Sequence, residues 1–204
     1  MEFKAKADKI LRYWFGEAEG ILLPTQEQTH RWFGGDPLVD ADILDTFSEE
    51  HKEATSGHLE VWENHHRGTL ALIVVMDQFS RHMFRNTPHA FAYDQKALDL
   101  CLRGIEREYD HLLSLLERAF FYFPLMHSES TEMQSFSVRA FQMLVSLSFP
   151  ETRSIYEQFL EYAVRHYEAI RQFGRFPQRN EVLGRESTPD ELEYLKKHGI
   201  RWGD

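Results

Sequence analysis

A chain of 204 residues with 42% hydrophobic side chains can bury one sizeable core and is short for two, which predicts a single domain over residues 1–204. Its 33 acidic residues outnumber 23 basic ones, for a formal net charge of −10 spread along the chain, so general binding to nucleic acid or to an anionic membrane surface is not expected. The one cysteine, Cys101, excludes an internal disulfide and reads as a buried thiol, while MEFKAKADKILRYWF has neither the apolar run nor the cleavage site of a signal peptide. No apolar run reaches the roughly 20 residues of a membrane span, and the expected location is cytoplasmic.

Helical periodicity recurs along the chain and alternating strands do not, which predicts an all-α fold. The first helix covers KADKILRYWF. The second is VDADILDTFSEEHKEA, closed by Gly57, and after a short piece at HLEVWEN comes HRGTLALIVVMDQFSRHMFR, residues 66–85. Thr87 and Pro88 suit an N-cap and first helical position, and Asp94 suits the cap of DQKALDLCLRGIERE. LLSLLERAFFYFPLMH, TEMQSFSVRAFQMLVSLS and IYEQFLEYAVRHYEAIRQF follow. Thr188-Pro189-Asp190-Glu191 then has the form of a capping box with proline at the first turn, opening a last helix that Gly199 should close.

Two of these helices are apolar nearly all round and are expected at the centre of the fold. In residues 66–85 a 3.6-residue wheel places Leu70, Val74, Asp77, Arg81 and Arg85 in one stripe. Charges in such a stripe need partners, because a bare buried charge costs several kcal/mol. Asp77 can meet Arg81 one turn on, which leaves a positive excess toward Arg85. In the second helix Arg118, Tyr122, Leu125 and Glu129 share a face, and Pro124 removes a backbone donor, so a bend is expected. Between the last two helices, QFGRFPQRNEVLGRESTPDEL sets Arg175, Arg179 and Arg185 in a polar connection. Residues 174–187 are expected to fold back as an ordered loop, with a turn after Pro177, against the helices of Asp77 and Glu117.

The segments DQFSRHMFR (77–85), ERAFFYFPLMHSE (117–129) and FGRFPQRNEVLGRESTPDE (173–191), in that order, resemble the bacterial family called domain of unknown function 924. The likeness extends from RYWFGEAEG through RWFGG to the final helix. Asp77, Gln78, Phe79, Arg81, Arg85, Glu117, Arg118, Pro124, His127, Glu129, Arg175, Pro177, Arg179, Asn180, Gly184, Arg185, Ser187 and Pro189 fit its pattern. His82 stands where the pattern has asparagine, and Gln178 where it has histidine; a glutamine cannot transfer protons near neutral pH. The resemblance implies a tetratricopeptide-like array of antiparallel helices, to which the residues themselves add an ordered C-terminal loop and a short final helix. It implies no reaction, substrate or cofactor.

The sequence offers a candidate ligand set of Asp77, Gln78, Arg81, Arg85, Arg118, Arg175, Arg179, Asn180 and Arg185. Six arginines against Asp77, Glu117 and Glu129 would leave a positive surplus if they shared one site, suited to a small anionic molecule or a carboxylate-bearing peptide end. The competing reading makes the same arginines a clasp that pins the loop through those three acids, since an irregular connection needs many side-chain bonds to stay ordered. His127 and Glu129 are the acid and base candidates of an enzymatic alternative. No HExxH, cysteine cluster, EF-hand, GxSxG or Walker pattern is present, so no metal and no cofactor is expected. A helical-array interaction module is a third reading, with Trp14, Trp32, Trp62, Phe33 and Tyr13 as anchors or as core.

Overall fold

The computed structural model describes residues 2–17 and 23–198, and all regular structure among them is helical. Helix α1 is Glu2–Phe15, α2 is Gln26–Phe33 and α3 is Pro37–Thr55. Helix α4, His66–Ile73, passes through a π-helical stretch, Val74–Phe79, into α5, Ser80–Met83. Helices α6 (Asp94–Glu106), α7 (Leu115–His127), α8 (Thr131–Leu147) and α9 (Arg153–Phe173) follow, each packed on the next, with a short 3-10 turn in the connection from α6 to α7. The final helix, α10, is Pro189–His198, and the expected stop at Gly199 lies outside the described residues.

Local chemistry explains the ends. Thr25 accepts from the Gln28 amide while the Gln28 side chain reaches back to the Thr25 N–H, a reciprocal cap that opens α2. This helix was not expected, although the Thr-x-x-Gln pattern announces it. Ser114 and Glu117 cap α7 in the same way, so the helix begins at Leu115 rather than three residues earlier. Gly174, at φ +69°, supplies the left-handed residue that ends α9 and starts the C-terminal loop. Gly68 answers a tighter constraint, since a Cβ there would lie 2.3 Å from the Trp62 carbonyl oxygen.

The two helices that read as apolar all round are the buried ones. Residues 68–82 are buried without interruption, and so are 117–126. Phe120 on α7 meets Trp32, Phe15 and Trp14 at ring-centroid distances of 4.7, 5.2 and 5.9 Å, and Phe79 meets Phe47 at 4.8 Å. Trp14, Trp32 and Trp62 are therefore core residues rather than exposed anchors, and Tyr13 is half-buried while Phe33 is exposed. Fully burying one such aromatic stabilises the fold by about 2–3 kcal/mol. Helix α7 continues through Pro124 to His127, with the Phe120 carbonyl deprived of the N–H that a non-proline residue would supply. No helix of the described residues is long and apolar enough to cross a membrane.

Candidate functional site

The charges inside this apolar centre converge at one end of α7. Asp77, wholly buried, accepts from His127 Nδ1 at 2.7 Å, meets Arg81 Nη1 at 3.1 Å and takes the Gln78 side-chain amide on its second oxygen. Arg81 turns its fork on Asp94, at 2.9 and 3.0 Å, and also donates to the Asp77 carbonyl at 2.6 Å. Arg179 from the C-terminal loop donates to the same Asp94 at 3.1 Å and to the His127 carbonyl at 3.1 Å. Its guanidinium lies over two rings, Phe91 at 4.5 Å and Phe176 at 4.6 Å.

Asp94 is the residue that sequence reasoning misplaced. It is the first residue of α6, with Tyr93 in the cap position, and its carboxylate serves two arginines instead of the helix start. An acid in a first helical turn is favoured by the helix dipole whatever else it does, which hides the second role.

The six arginines do not share one site, and their excess charge is answered locally. Arg85 pairs with Asp40 of α3 at 2.7 and 2.9 Å, an acid it shares with His82 at 2.7 Å. Arg118 lies nine residues before His127, about 14 Å along the helix axis, and meets Asp110 at 3.4 Å and the Tyr122 hydroxyl at 3.2 Å. Arg175 holds Glu191 at 2.7 and 2.9 Å, and Arg185 holds Glu129 at 2.8 and 3.0 Å. Glu117 pairs with Arg67 at 2.9 Å and takes no part in fixing the loop. The surplus of six cations over three acids therefore disappears once Asp40, Asp94, Asp110 and Glu191 are counted. The end of the helix accounts for part of the difference. Asp77 and Arg81 keep their one-turn pairing at 3.1 Å, but α5 stops at Met83, so Arg85 lies past the helix and leaves the stripe.

The loop does fold back, with a 3-10 turn at Pro177–Arg179. It lands on the end of α7, the helix of Glu117 as expected, and on the start of α6 in place of the helix of Asp77. The Phe176 N–H donates to Glu129 at 2.8 Å, Arg185 donates to the Phe176 carbonyl at 3.0 Å, and the Asn180 amide donates to Ser187 at 3.1 Å and Glu191 at 3.2 Å. Glu191 completes the expected capping box with Thr188, accepting the Thr188 N–H at 2.7 Å, while it also binds Arg175.

Beside this network is an open cavity of about 370 Å³. Asp94, Gln95, His127, Ser128, Glu129 and Arg179 give it one polar wall, and Pro88, Phe91, Ala92, Leu98 and Leu183 give it an apolar one. Of the residues proposed from sequence, His127, Glu129 and Arg179 border it. Asp77, Gln78 and Arg81 stand behind them, and Arg85 and Arg118 are elsewhere.

Electrostatics mark the same corner. Burial, with Arg81 alongside, pulls the Arg179 guanidinium down to about 10, still charged at neutral pH. Burial and Arg81 also lower His127 against the opposing pull of Asp77, and burial brings His166, on α9, to about 3. Asp77 is held below the usual carboxylate range: Arg81 and His127 outweigh a burial that acts the other way. Clusters of shifted groups beside a cavity are where chemistry and binding concentrate. Among the described residues no group of three or more His, Cys, Asp or Glu stands where a metal ion could be held.

No curated protein matches the chain. A solved structure of a protein of unknown function from Agrobacterium tumefaciens is similar, with 31% sequence identity and a TM-score of 0.79 over 95% of this chain and 98% of that one. A family model described as bacterial protein of unknown function, DUF924, matches residues 10–199. With that match spanning nearly every described helix, the chain belongs to the DUF924 family.

Proposed function

We propose that the cavity bordered by Asp94, His127 and Arg179 binds a small molecule through a carboxylate or phosphate group. The observation that carries this reading is the state of Arg179. It is a nearly buried guanidinium, its side chain 11% exposed, and the one carboxylate it touches among the described residues already takes both terminal nitrogens of Arg81. Arg81 and Arg175, each with a carboxylate gripped in bidentate fashion, are shifted up. Arg179 is shifted down because burial outweighs its share of charge. An incoming anion would supply that share, and two flanking rings hold the planar fork ready for it. The apolar wall leaves room for a hydrocarbon or aromatic part of the same molecule.

The clasp reading describes the neighbours: Arg175 and Arg185 secure the loop to α10 and to the end of α7, and thereby place Arg179. The stacking of α7, α8 and α9 in chain order supports the tetratricopeptide-like arrangement as part of the same reading.

Differential scanning with phosphate, succinate and free amino acids, against chloride at matched ionic strength, tests the proposal. The melting midpoint should climb with the concentration of at least one anion, because a ligand that binds only the folded form stabilises it by mass action. Arg179→Lys should abolish most of that rise and Arg175→Lys should leave it. If no anion exceeds the chloride control, Arg179 serves the protein alone.

A further inference from the structure

One feature of the cavity wall is not required by ligand binding. His127 is the last residue of α7, and its Nδ1 faces a carboxylate that cannot move. Asp77 is 0% exposed and fixed by Arg81 and Gln78 as well. A carboxylate accepts, so the Nδ1 position carries the proton and the lone pair is left on Nε2. Nε2 makes no hydrogen bond to a described residue, and the ring borders the cavity with its side chain 13% exposed. The same burial that lowers His127 keeps the imidazole neutral at pH 7, so its lone pair is available.

From this geometry we infer that His127, oriented by Asp77, is a general base that activates water in the cavity, for hydrolysis of an ester whose anionic group Arg179 holds. The inference rests on the anion-binding reading above. Water is assigned as the nucleophile because Ser128, though it borders the cavity, makes no hydroxyl contact with His127 among the described residues. An ester suits the apolar wall, where Phe91, Leu98 and Leu183 can hold the alkyl or aryl part.

In the reaction Nε2 takes a proton from water as the water oxygen bonds to the ester carbonyl carbon, and the carbonyl π pair moves onto its oxygen. Collapse restores the C=O bond and breaks the C–O bond to the alcohol, which leaves with the proton returned by the imidazolium. One water and one ester give one carboxylic acid and one alcohol, with no change of oxidation state. Asp77 acts through His127, as a positioning residue: it fixes the tautomer and stabilises the imidazolium while it lasts.

The charged groups around His127 are Asp77 and Arg81 from the π-helical stretch and α5, Asp94 from α6, His166 from α9, Arg179 from the loop, and Glu129 two residues on. Protonation of His127 as pH falls should therefore remove activity along a single limb, with its midpoint below 6.5.

The test uses the whole protein and a panel of carboxylate-bearing esters, with 4-acetoxy-3-nitrobenzoate as the chromogenic member and neutral 4-nitrophenyl acetate as control. His127→Gln should lower kcat by about 100-fold or more and leave the succinate-induced rise in melting midpoint in place. Arg179→Lys should raise KM for the charged esters more than it lowers kcat. Should His127→Gln fail to fold, nitrogen-15 spectra of the parent decide the geometry: an Nδ1–H tautomer at pH 7.5 is expected, and an Nε2–H tautomer overturns the base. Equal turnover by parent and His127→Gln, or none by either, while succinate still stabilises, also overturns it and leaves the binding site standing. Turnover that depends on His127 without any stabilising anion would instead overturn the role given to Arg179.

Discussion

Helix α7 carries a buried aspartate network at each of its ends, and the two ends differ in one respect. Near its start, Asp110 meets Arg118 at 3.4 Å and the Tyr122 hydroxyl at 2.5 Å, a set enclosed by protein. Past its end, Asp77, Arg81, Asp94 and Arg179 form a chain of the same residue types that borders a cavity, with His127 between the charges and the opening. Burial, pairing and a shifted group occur at both ends, since Tyr122 is also pushed up by burial and Asp110. Charge pairing inside a core is therefore no sign of function on its own. Space beside an under-served cation is the distinguishing feature.

The largest expected effect is on stability. Asp77→Ala should cost about 4 kcal/mol, because it removes the charge that Arg81 and His127 face where water cannot replace it. Asp110→Ala should cost about 2 kcal/mol, the loss of hydrogen bonds to one charged and one neutral partner. Urea unfolding of the two variants measures the difference, and equal losses would erase the distinction between the ends.

Next in size is a dependence on pH that belongs to the Asp77 end. His127 and His166 have folded values below the ordinary 6.5, as does the distant His51 at about 4. Above 6.5 they are neutral folded or unfolded and their full contribution is present. As pH falls from 6.5 toward the folded values the unfolded chain takes up protons first, and stability is lost. For His166 that window runs from 6.5 to about 3. His166→Gln should therefore reduce the loss between pH 6 and 5 by about 1 kcal/mol per pH unit. Carboxylate losses belong to a lower range: Asp40 and Glu191, each held at about 2 by arginine hydrogen bonds and, for Glu191, the Thr188 N–H, act only below about pH 4.5. An unchanged slope in His166→Gln would show that this ring is hydrated in solution.

A smaller effect sharpens the same contrast. Arg118→Lys should leave any anion response intact, whereas Arg179→Lys should weaken it, as a scan with succinate would record. Smallest of all, Glu49→Gln on the exposed face of α3 should leave the unfolding midpoint unchanged, and a shift comparable to that of Asp110→Ala would mean that surface charge governs stability here.

The centre of the fold was legible because helices apolar on every side have nowhere to go but inward, as residues 68–82 and 117–126 show. The loop was legible in its ends: Gly174 and the Thr188–Glu191 box are local signals that need no tertiary knowledge. Partners were not legible. Arg179 finds Asp94 85 positions away, and Arg85 finds Asp40 45 positions away; no wheel or spacing contains such pairs. The π-helical stretch escaped as well, since residues 74–79 carry nothing that separates them from an ordinary buried helix. A count of cations and acids taken from motifs alone was for this reason bound to find a surplus.

The most direct test of the central claim is a nitrogen-15 NMR titration of the protein with succinate, following the arginine and histidine side-chain signals at both ends of α7. Saturable shifts are expected at Arg179 and His127 and none at Arg118. Shifts of equal size at both ends, or none at Arg179 up to the highest succinate concentration, would contradict it.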